Sequence, residues 1–354
     1  MRAREHACAL RVARRHNPPP SPGRTHPQAR KPASPQPRQE AVVTAAPEHA
    51  RAVRFDRYGD RDVLYVADVP VPRPAAGEVL VEIRAAGINP GETAIRTGAL
   101  HERFPATFPS GEGSDLAGVV LETGEDVTGL APGDEVLGYS WQRSSHATHA
   151  VVPATQLIPK PAGLSWPVAG SLYVAACTAW AAVDAVGPRP GETVAVSAAA
   201  GGVGSIVVQL LALRGARVLA IASPARAPWL TAHGAVPVPY SDRIAEDLTA
   251  AAPDGVDAFI DLFGPQYVQL AIDLGIPPGR IETIISFEKA AQHGAKTAGS
   301  VDGSTREVLD EMAGHAASGR VEIPIAATYP LDRVRDAFAD LEQRHTHGKI
   351  VLIP

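Results

Sequence analysis

Between Thr193 and Leu211 the apolar positions of the chain change their period. Thr193-Val194-Ala195-Val196 is a continuous apolar, β-branched run, whereas Ile206-Val207 and Leu210-Leu211 recur at helical spacing. The seven residues Ala198–Gly204, AAAGGVG, lie between them. A strand, a glycine turn and a helix in this order make the context of a dinucleotide-binding βαβ unit. Small residues let the backbone approach a pyrophosphate, and the helix N-terminus offers amide N–H groups and a favourable dipole. A plain strand-to-helix turn is the alternative, since a glycine pattern alone is weak.

The pattern extends in both directions. Ala175–Val186 reads as a helix and Gly187–Gly191 as a proline-glycine turn. Arg217–Ala222 reads as a strand, about Ala227–His233 as a helix, and Asp257–Leu262 as a third parallel strand. Alternating buried strands and amphipathic helices predict a doubly wound parallel sheet. Before Leu172 the texture differs. Glu78–Arg84 (EVLVEIR) alternates apolar and charged residues, and short strands are predicted within Arg51–Val71, around a turn at Tyr58-Gly59-Asp60, and at Asp115–Leu121, Glu135–Gly138 and Ala150–Val152. These suggest a small β-barrel or sandwich. Ser304–Ala317 is predicted helical, and Lys349–Ile353 is a closing strand that can return to the first lobe. The expected fold class is therefore α/β, with a β-rich lobe beside a Rossmann-type sheet.

Charge changes the picture at one end only. The chain carries a net charge of −5, but Met1–Ala50 is rich in arginine and proline, with Pro18-Pro19-Pro20 leaving no room for paired structure. Residues 1–50 are read as a disordered basic tail, with translated non-coding sequence, a transit peptide or a nucleic-acid-binding arm as alternatives; no aromatics interleave to stack on bases. The acidic remainder argues against nucleic-acid and membrane partners. Two cysteines, Cys8 and Cys177, cannot form a disulfide framework or a four-thiolate zinc site, which points to a cytoplasmic setting.

The segments AAGINPGE (Ala85–Glu92), FPSGEGSDLAGVV (Phe108–Val120), PGDEVLG (Pro132–Gly138), VVPATQLIPKPAGLSW (Val151–Trp166), TAW (Thr178–Trp180), AAAGGVG and the terminal HGKIVLIP together resemble one family. It is the medium-chain dehydrogenase/reductase superfamily, in its zinc-independent, quinone oxidoreductase-like (zeta-crystallin-like) branch. The resemblance implies a GroES-like catalytic domain (51–171 and 322–354) and a Rossmann domain (172–321), with the cofactor in the cleft between them. It also implies a homodimer formed through a strand of the Rossmann sheet, for which Glu282–Phe287 (ETIISF) is the candidate edge.

Zinc alcohol dehydrogenases resembling this chain carry a cysteine ligand where Asn89 stands and a histidine ligand where Ser114 stands. Neither replacement is a competent zinc ligand, so no metal is expected. An NAD-binding unit usually ends its second strand with a carboxylate for the ribose 2′-OH. Here Ser223 and Arg226 follow that strand and suit a 2′-phosphate, so NADPH is the expected cofactor. The cofactor-binding set is Ala200, Gly201, Gly202, Val203, Gly204, Ser223, Arg226, Tyr240 and Lys349. Tyr240 and Lys349 enter by resemblance, and a solvated helix-cap Arg226 or a strand-edge Lys349 is the alternative.

The resemblance implies that Asn89 and Thr178 line the nicotinamide end of the cleft, and with Arg96 they are the candidate catalytic contacts. Each has a bland alternative: a turn residue before Pro90, a structural hydroxyl, and an exposed salt bridge. Glu92 aligns with an acidic family position. Ala94 stands where many members carry a tyrosine, which leaves the proton donor open between solvent, Tyr173 and Tyr139. His146, His149, His345 and His347 are read as surface histidines, with metal binding as the alternative, for which no carboxylate or third ligand is evident nearby. Substrate choice is assigned to loops at Thr97–Thr107 and Pro265–Gly279. The expected activity is hydride transfer to a quinone or an α,β-unsaturated carbonyl, both small-molecule partners. The alternatives are an enoyl or ketone reductase of specialised metabolism, and a non-catalytic crystallin-like or redox-sensing NADPH binder.

Overall fold

The computed structural model describes residues 48–354. The segment read as a tail lies outside them except at its end, where the first strand begins at His49, paired with Pro70. Fifteen strands follow in order: β1 His49–Phe55, β2 Tyr65–Pro70, β3 Glu78–Gly87, β4 Ser110–Gly111, β5 Asp115–Thr123, β6 Glu135–Tyr139, β7 His149–Pro153, β8 Leu157–Pro159, β9 Thr193–Val196, β10 Arg217–Ala222, β11 Ala235–Pro239, β12 Ala258–Asp261, β13 Ile281–Thr283, β14 Ile325–Pro330 and β15 Lys349–Ile353. Four helices bear on the site: α1 Pro90–Arg96, α2 Trp166–Ala169, α3 Tyr173–Val186 and α4 Gly204–Leu213.

The β-rich lobe holds two sheets. One has the order β2-β1-β4, and the other runs β14-β15-β3-β5-β6-β8, with β7 also paired to β3. The closing strand does return to this lobe: β15 lies parallel to β14 and antiparallel to β3, with Val351 opposite Gly87. Close approach of strands is what fixes Gly118, since a Cβ there would lie 2.1 Å from the Glu82 carbonyl oxygen.

The second lobe is a five-stranded sheet, β11-β10-β9-β12-β13, and every pair in it is parallel. All four residues of β9 and of β12 are buried, as strands covered by helices on both faces must be. Chain order reverses on either side of β9, so the crevice at its carboxyl end is the topological switch point where such sheets bind ligands. The AAAGGVG turn sits there. Ten of the fourteen residues of α3 are buried, and the helix ends at Gly187 with a left-handed φ of 55°. Its apolar face joins one core with β9, α4 and the helix Arg306–Ala317, and also with Ala117, Leu137 and Ile158 of the β-rich lobe. Each fully buried valine or leucine there contributes about 2 kcal/mol.

The floor of the crevice is tied by one carboxylate. Asp261, fully buried at the end of β12, accepts from Ser197 Oγ at 2.8 Å and from the amides of Phe263 and Gly264 through Oδ1. Its Oδ2 accepts from Thr283 Oγ1 and Ser286 Oγ at 2.8 and 3.0 Å. Five donors satisfy it without a cation.

Two expectations are corrected here. ETIISF is not a strand throughout: β13 stops at Thr283, and Phe287 already opens the helix Phe287–His293. Nor is its edge open, because Lys296 donates to the Ile281 carbonyl at 2.9 Å and accepts from the Thr283 amide at 3.0 Å. The chain covers its own edge, as exposed edges generally require, so strand pairing of two subunits there would displace this segment. Second, Pro265–Gly279 is not a loop, since Pro265–Asp273 is helical with a proline at its first turn.

Candidate active site

The glycine turn leaves β9 through Ala198, whose φ of 47° is unusual for a residue with a side chain. Gly201 donates to the Ala198 carbonyl at 2.9 Å, and α4 begins at Gly204. A Cβ on Gly204 would fall 2.2 Å from the Ala198 oxygen, so the tight return of the chain requires glycine there. Gly201 forms a bridge with Gly348, and the Gly348 amide donates to the Ala200 carbonyl at 3.3 Å. The dinucleotide turn is thereby stitched to the start of β15.

Lys349 is the next residue, and its side chain packs against the turn. A Cβ on Gly202 would meet its Cδ at 3.2 Å. Its ammonium is buried and donates to Asn89 Oδ1, to the Ile88 carbonyl at 3.2 Å and to Asp115 Oδ2 at 3.4 Å. Three acceptors use all three N–H bonds of an ammonium. None is left for a phosphate, which moves Lys349 from the cofactor surface to the floor below it.

Asn89 is committed in the same way. Its Oδ1 takes the lysine proton, and its Nδ2 donates to Glu92 Oε1 at 3.3 Å and to Asp115 Oδ2 at 3.2 Å. Its main-chain N–H donates to Glu92 Oε2 at 2.9 Å, one half of a capping box at the start of α1. With both side-chain N–H bonds used within the protein, the buried Asn89 orients the floor. Glu92 also accepts from the Ser114 amide at 3.0 Å, so it organises both α1 and the Gly113-Ser114 turn. Asp115 Oδ1 accepts from the Val174 amide at 2.7 Å, a carboxylate at the N-terminal turn of α3. Thr178, one turn along, donates to the Val174 carbonyl at 2.5 Å.

Arg96 needs correction as a candidate substrate contact. It is fully buried, paired to Glu112 at 2.8 Å and Glu342 at 3.3 Å, with its guanidinium 4.4 Å over the Phe338 ring. It presents no face to the cleft and is not the exposed pair of the alternative either. His146 is likewise no surface histidine: it is buried, and its Nε2 faces the Gly87 carbonyl at 3.1 Å and so carries the proton. His149 and His347 are half-buried and His345 is exposed.

Burial dominates the electrostatics. Desolvation pushes Glu92 and Asp115 up from the usual carboxylate range, and the Lys349 charge pulls both back. Glu112 is pushed up to about 8 by burial and by the neighbouring Glu92, against the pull of Arg96. The Cys177 thiol is pushed up to about 12 by burial, which makes it inert. Burial lowers His146 from 6.5 to about 4, so it is neutral at pH 7. Its contribution to stability is therefore full above about pH 6.5 and is lost as pH falls through about 4. The shift corresponds to about 3 kcal/mol. Denaturant titrations between pH 7.5 and 4 should show His146→Gln losing less stability on the acid side than the parent; parallel curves would remove this assignment.

Tyr139, opposite Asp115 in the sheet, stacks on Tyr173 with centroids 3.9 Å apart, and Trp141, largely exposed, stands edge-on to both. The Tyr173 hydroxyl bonds Ser304 Oγ, and burial drives its pKa upward. Ser114 is half-exposed beside them. Ser223 is exposed directly after β10, and the Tyr240 amide donates to the Ala222 carbonyl at 3.3 Å. Arg226 donates to the His345 carbonyl at 3.3 Å, beside an open cavity of about 400 Å³ lined by Arg226, Asp340, His345, Thr346 and His347 among others. The buried Thr346 Oγ1 and His347 Nε2 have no partner. Sequence reasoning missed Glu112, Asp115, Asp261, Glu342 and the burial of His146. Asp115 alone left a signal, as a carboxylate opening an otherwise apolar strand.

A glycine turn at the switch point of a parallel sheet, backed by a β-rich lobe that supplies a polar floor, defines a two-lobed nucleotide-dependent dehydrogenase or reductase. The family model described as alcohol dehydrogenase GroES-like domain matches residues 75–162, and that described as zinc-binding dehydrogenase matches residues 233–352. A 2-methylene-furan-3-one reductase of Solanum lycopersicum is 30% identical over 333 residues, covering 89% of this chain and 82% of that protein. The structure of the quinone oxidoreductase from Coxiella burnetii superposes with a TM-score of 0.79 at 29% identity, covering 86% of this chain and 99% of that one. The Escherichia coli quinone oxidoreductase complexed with NADPH gives 0.76 at 26%, covering 86% and 100%. The chain belongs to the medium-chain dehydrogenase/reductase superfamily, in its quinone oxidoreductase-like branch. It is an NAD(P)H-dependent oxidoreductase of the quinone oxidoreductase and enone reductase type.

The zinc named in one family description does not fit the donors present. Asn89 Oδ1 is held by an ammonium and Ser114 is a neutral hydroxyl. Among the described residues, no group of three or more His, Cys, Asp or Glu side chains is placed to hold a metal ion. Nor, among them, is any helix long and apolar enough to cross a membrane.

Proposed function

We propose that the chain is a zinc-independent, NADPH-dependent reductase of quinones or α,β-unsaturated carbonyls. The carrying observation is the end of β10, where Ser223 and Arg226 replace the carboxylate that would select a free 2′-OH. Arg226 borders an open hollow, with Asp340 on the same rim, and its guanidinium can pair with an anionic group there. Gly201–Gly204 and the N-terminus of α4 would hold the pyrophosphate, and Ser223, Arg226 and Tyr240 the phosphorylated ribose. When bound, the reduced dinucleotide supplies a hydride to an electron-poor carbon of the acceptor. The chain's own residues orient the partners and leave the product proton to solvent. Thr178, whose hydroxyl proton is held by Val174, can still accept a hydrogen bond in the cleft. The mouth beside Tyr139 and Trp141 receives the acceptor.

Oxidation of NADPH and NADH, followed at 340 nm against quinones and enones, tests this reading. The parent should favour NADPH by about tenfold or more in kcat/KM, and Arg226→Ala should erase most of that preference while leaving NADH turnover near parent. Equal use of both cofactors, or NADPH binding without turnover of any acceptor, would overturn it.

A further inference from the structure

The positions where zinc relatives carry ligands are filled here by Asn89 and Ser114, yet the site is not without a fixed cation. The ammonium of Lys349 binds the Asn89 side chain directly and stands 3.4 Å from Asp115, the residue after Ser114. We propose that Lys349 takes the place of the metal as the internal positive charge of the active site, and that it acts as a positioning residue for the floor and the dinucleotide turn. This rests on the reductase reading above.

Three features carry the assignment. The first is charge. The ionisable groups converging on the floor are Glu92 and Arg96 from α1, Glu112 and Asp115 from the turn entering β5, and His146 from the segment before β7. Arg96 is engaged with Glu112 and Glu342, and His146 is neutral. The carboxylates of Glu92 and Asp115 are therefore left to Lys349, whose charge acts on both. A buried carboxylate pair without a cation is strongly disfavoured.

The second is reach. From one ammonium, the contacts pass through Asn89 to the start of α1, and through Asp115 to the Val174 amide at the start of α3, which bears Thr178. Through the adjacent Gly348, the same strand end holds Ala200 and Gly201 of the dinucleotide turn. A coordinated metal would likewise join separate segments of the β-rich lobe at one cation. The third is saturation. All three N–H bonds end on protein acceptors, so Lys349 positions other groups and does not itself polarise an acceptor oxygen.

Lys349→Met removes the charge at similar length, and Lys349→Met/Asp115→Asn removes both partners. Each is compared with the parent and Asp115→Asn for thermal unfolding, NADPH affinity by nicotinamide fluorescence, and steady-state reduction of a simple para-quinone. The single lysine variant should unfold at lower temperature and lose about tenfold or more in kcat, with acceptor KM changed less than about threefold. Adding Asp115→Asn should recover a substantial part of both losses, because the orphaned carboxylate is gone. Strict additivity of the two substitutions would overturn the proposal, as would a Lys349→Met variant whose defect lies wholly in NADPH affinity. If the parent turns over no acceptor, the reductase reading fails, and the unfolding cycle still decides whether Lys349 balances Asp115.

Discussion

Gly204→Ala should weaken NADPH binding by about a hundredfold and destabilise the fold by about 3 kcal/mol or more. The added Cβ would lie 2.2 Å from the Ala198 carbonyl oxygen and 2.8 Å from Ala199 Cα. Both are backbone atoms, so no side chain can swing aside, and Ala198 is already held at a positive φ. Relief requires the start of α4 to move away from β9. That separates the amides proposed to hold the pyrophosphate and opens a core in which Ile206, Val207 and Val208 are completely buried. Gly202→Ala should be milder, since its nearest neighbour is the flexible Lys349 side chain at 3.2 Å. Gly314→Ala is the control: nothing lies within 4 Å in the middle of the helix Arg306–Ala317, and alanine favours the helix. Thermal unfolding and calorimetric titration with NADPH check the three variants. A Gly204→Ala protein with parental affinity and unfolding temperature would show that the turn has slack the structure does not contain.

The elements that sequence periodicity located are those whose register is decided locally. β10 and β15 fall on the predicted residues, and α3 starts two residues earlier than its apolar pattern, where Asp115 reaches across to the Val174 amide. ETIISF misled because its β-branched composition is that of a strand, whereas its end is set by a distant residue. Asp261 draws Thr283 Oγ1 and Ser286 Oγ inward and turns the chain. Lys296, brought back after the next helix, then occupies the edge.

The candidate site divides along the same line. The glycine turn and the residues after β10 could be read because backbone geometry and a missing carboxylate are local facts. That Asn89 and Lys349 spend their hydrogen bonds on each other could not be read, because 260 positions separate them. The histidines show the same limit. His146 and His149 are three residues apart, but only His146 lies under the Gly113 turn, where the absence of a side chain on Gly113 makes room for its ring.

Arg96→Met should destabilise the protein by about 3–5 kcal/mol at pH 7.5 while leaving acceptor KM near parent in the molecules that remain folded. The substitution keeps the aliphatic stem against Phe338 but removes the cation from two carboxylates, one of them 1% exposed. Glu112, raised to about 8 with Arg96 beside it, would be driven higher still without it. Arg96→Met/Glu112→Leu should recover most of the stability, since an apolar pair of similar volume commonly replaces a buried ion pair at little cost. Glu342, 28% exposed, can turn its charge toward water and needs no replacement. Denaturant unfolding of the cycle, with quinone KM measured on the same samples, separates a packed ion pair from a substrate anchor. An Arg96→Met variant of parental stability and raised KM would restore the arginine to the acceptor site, and would require the α1 turn to open during catalysis.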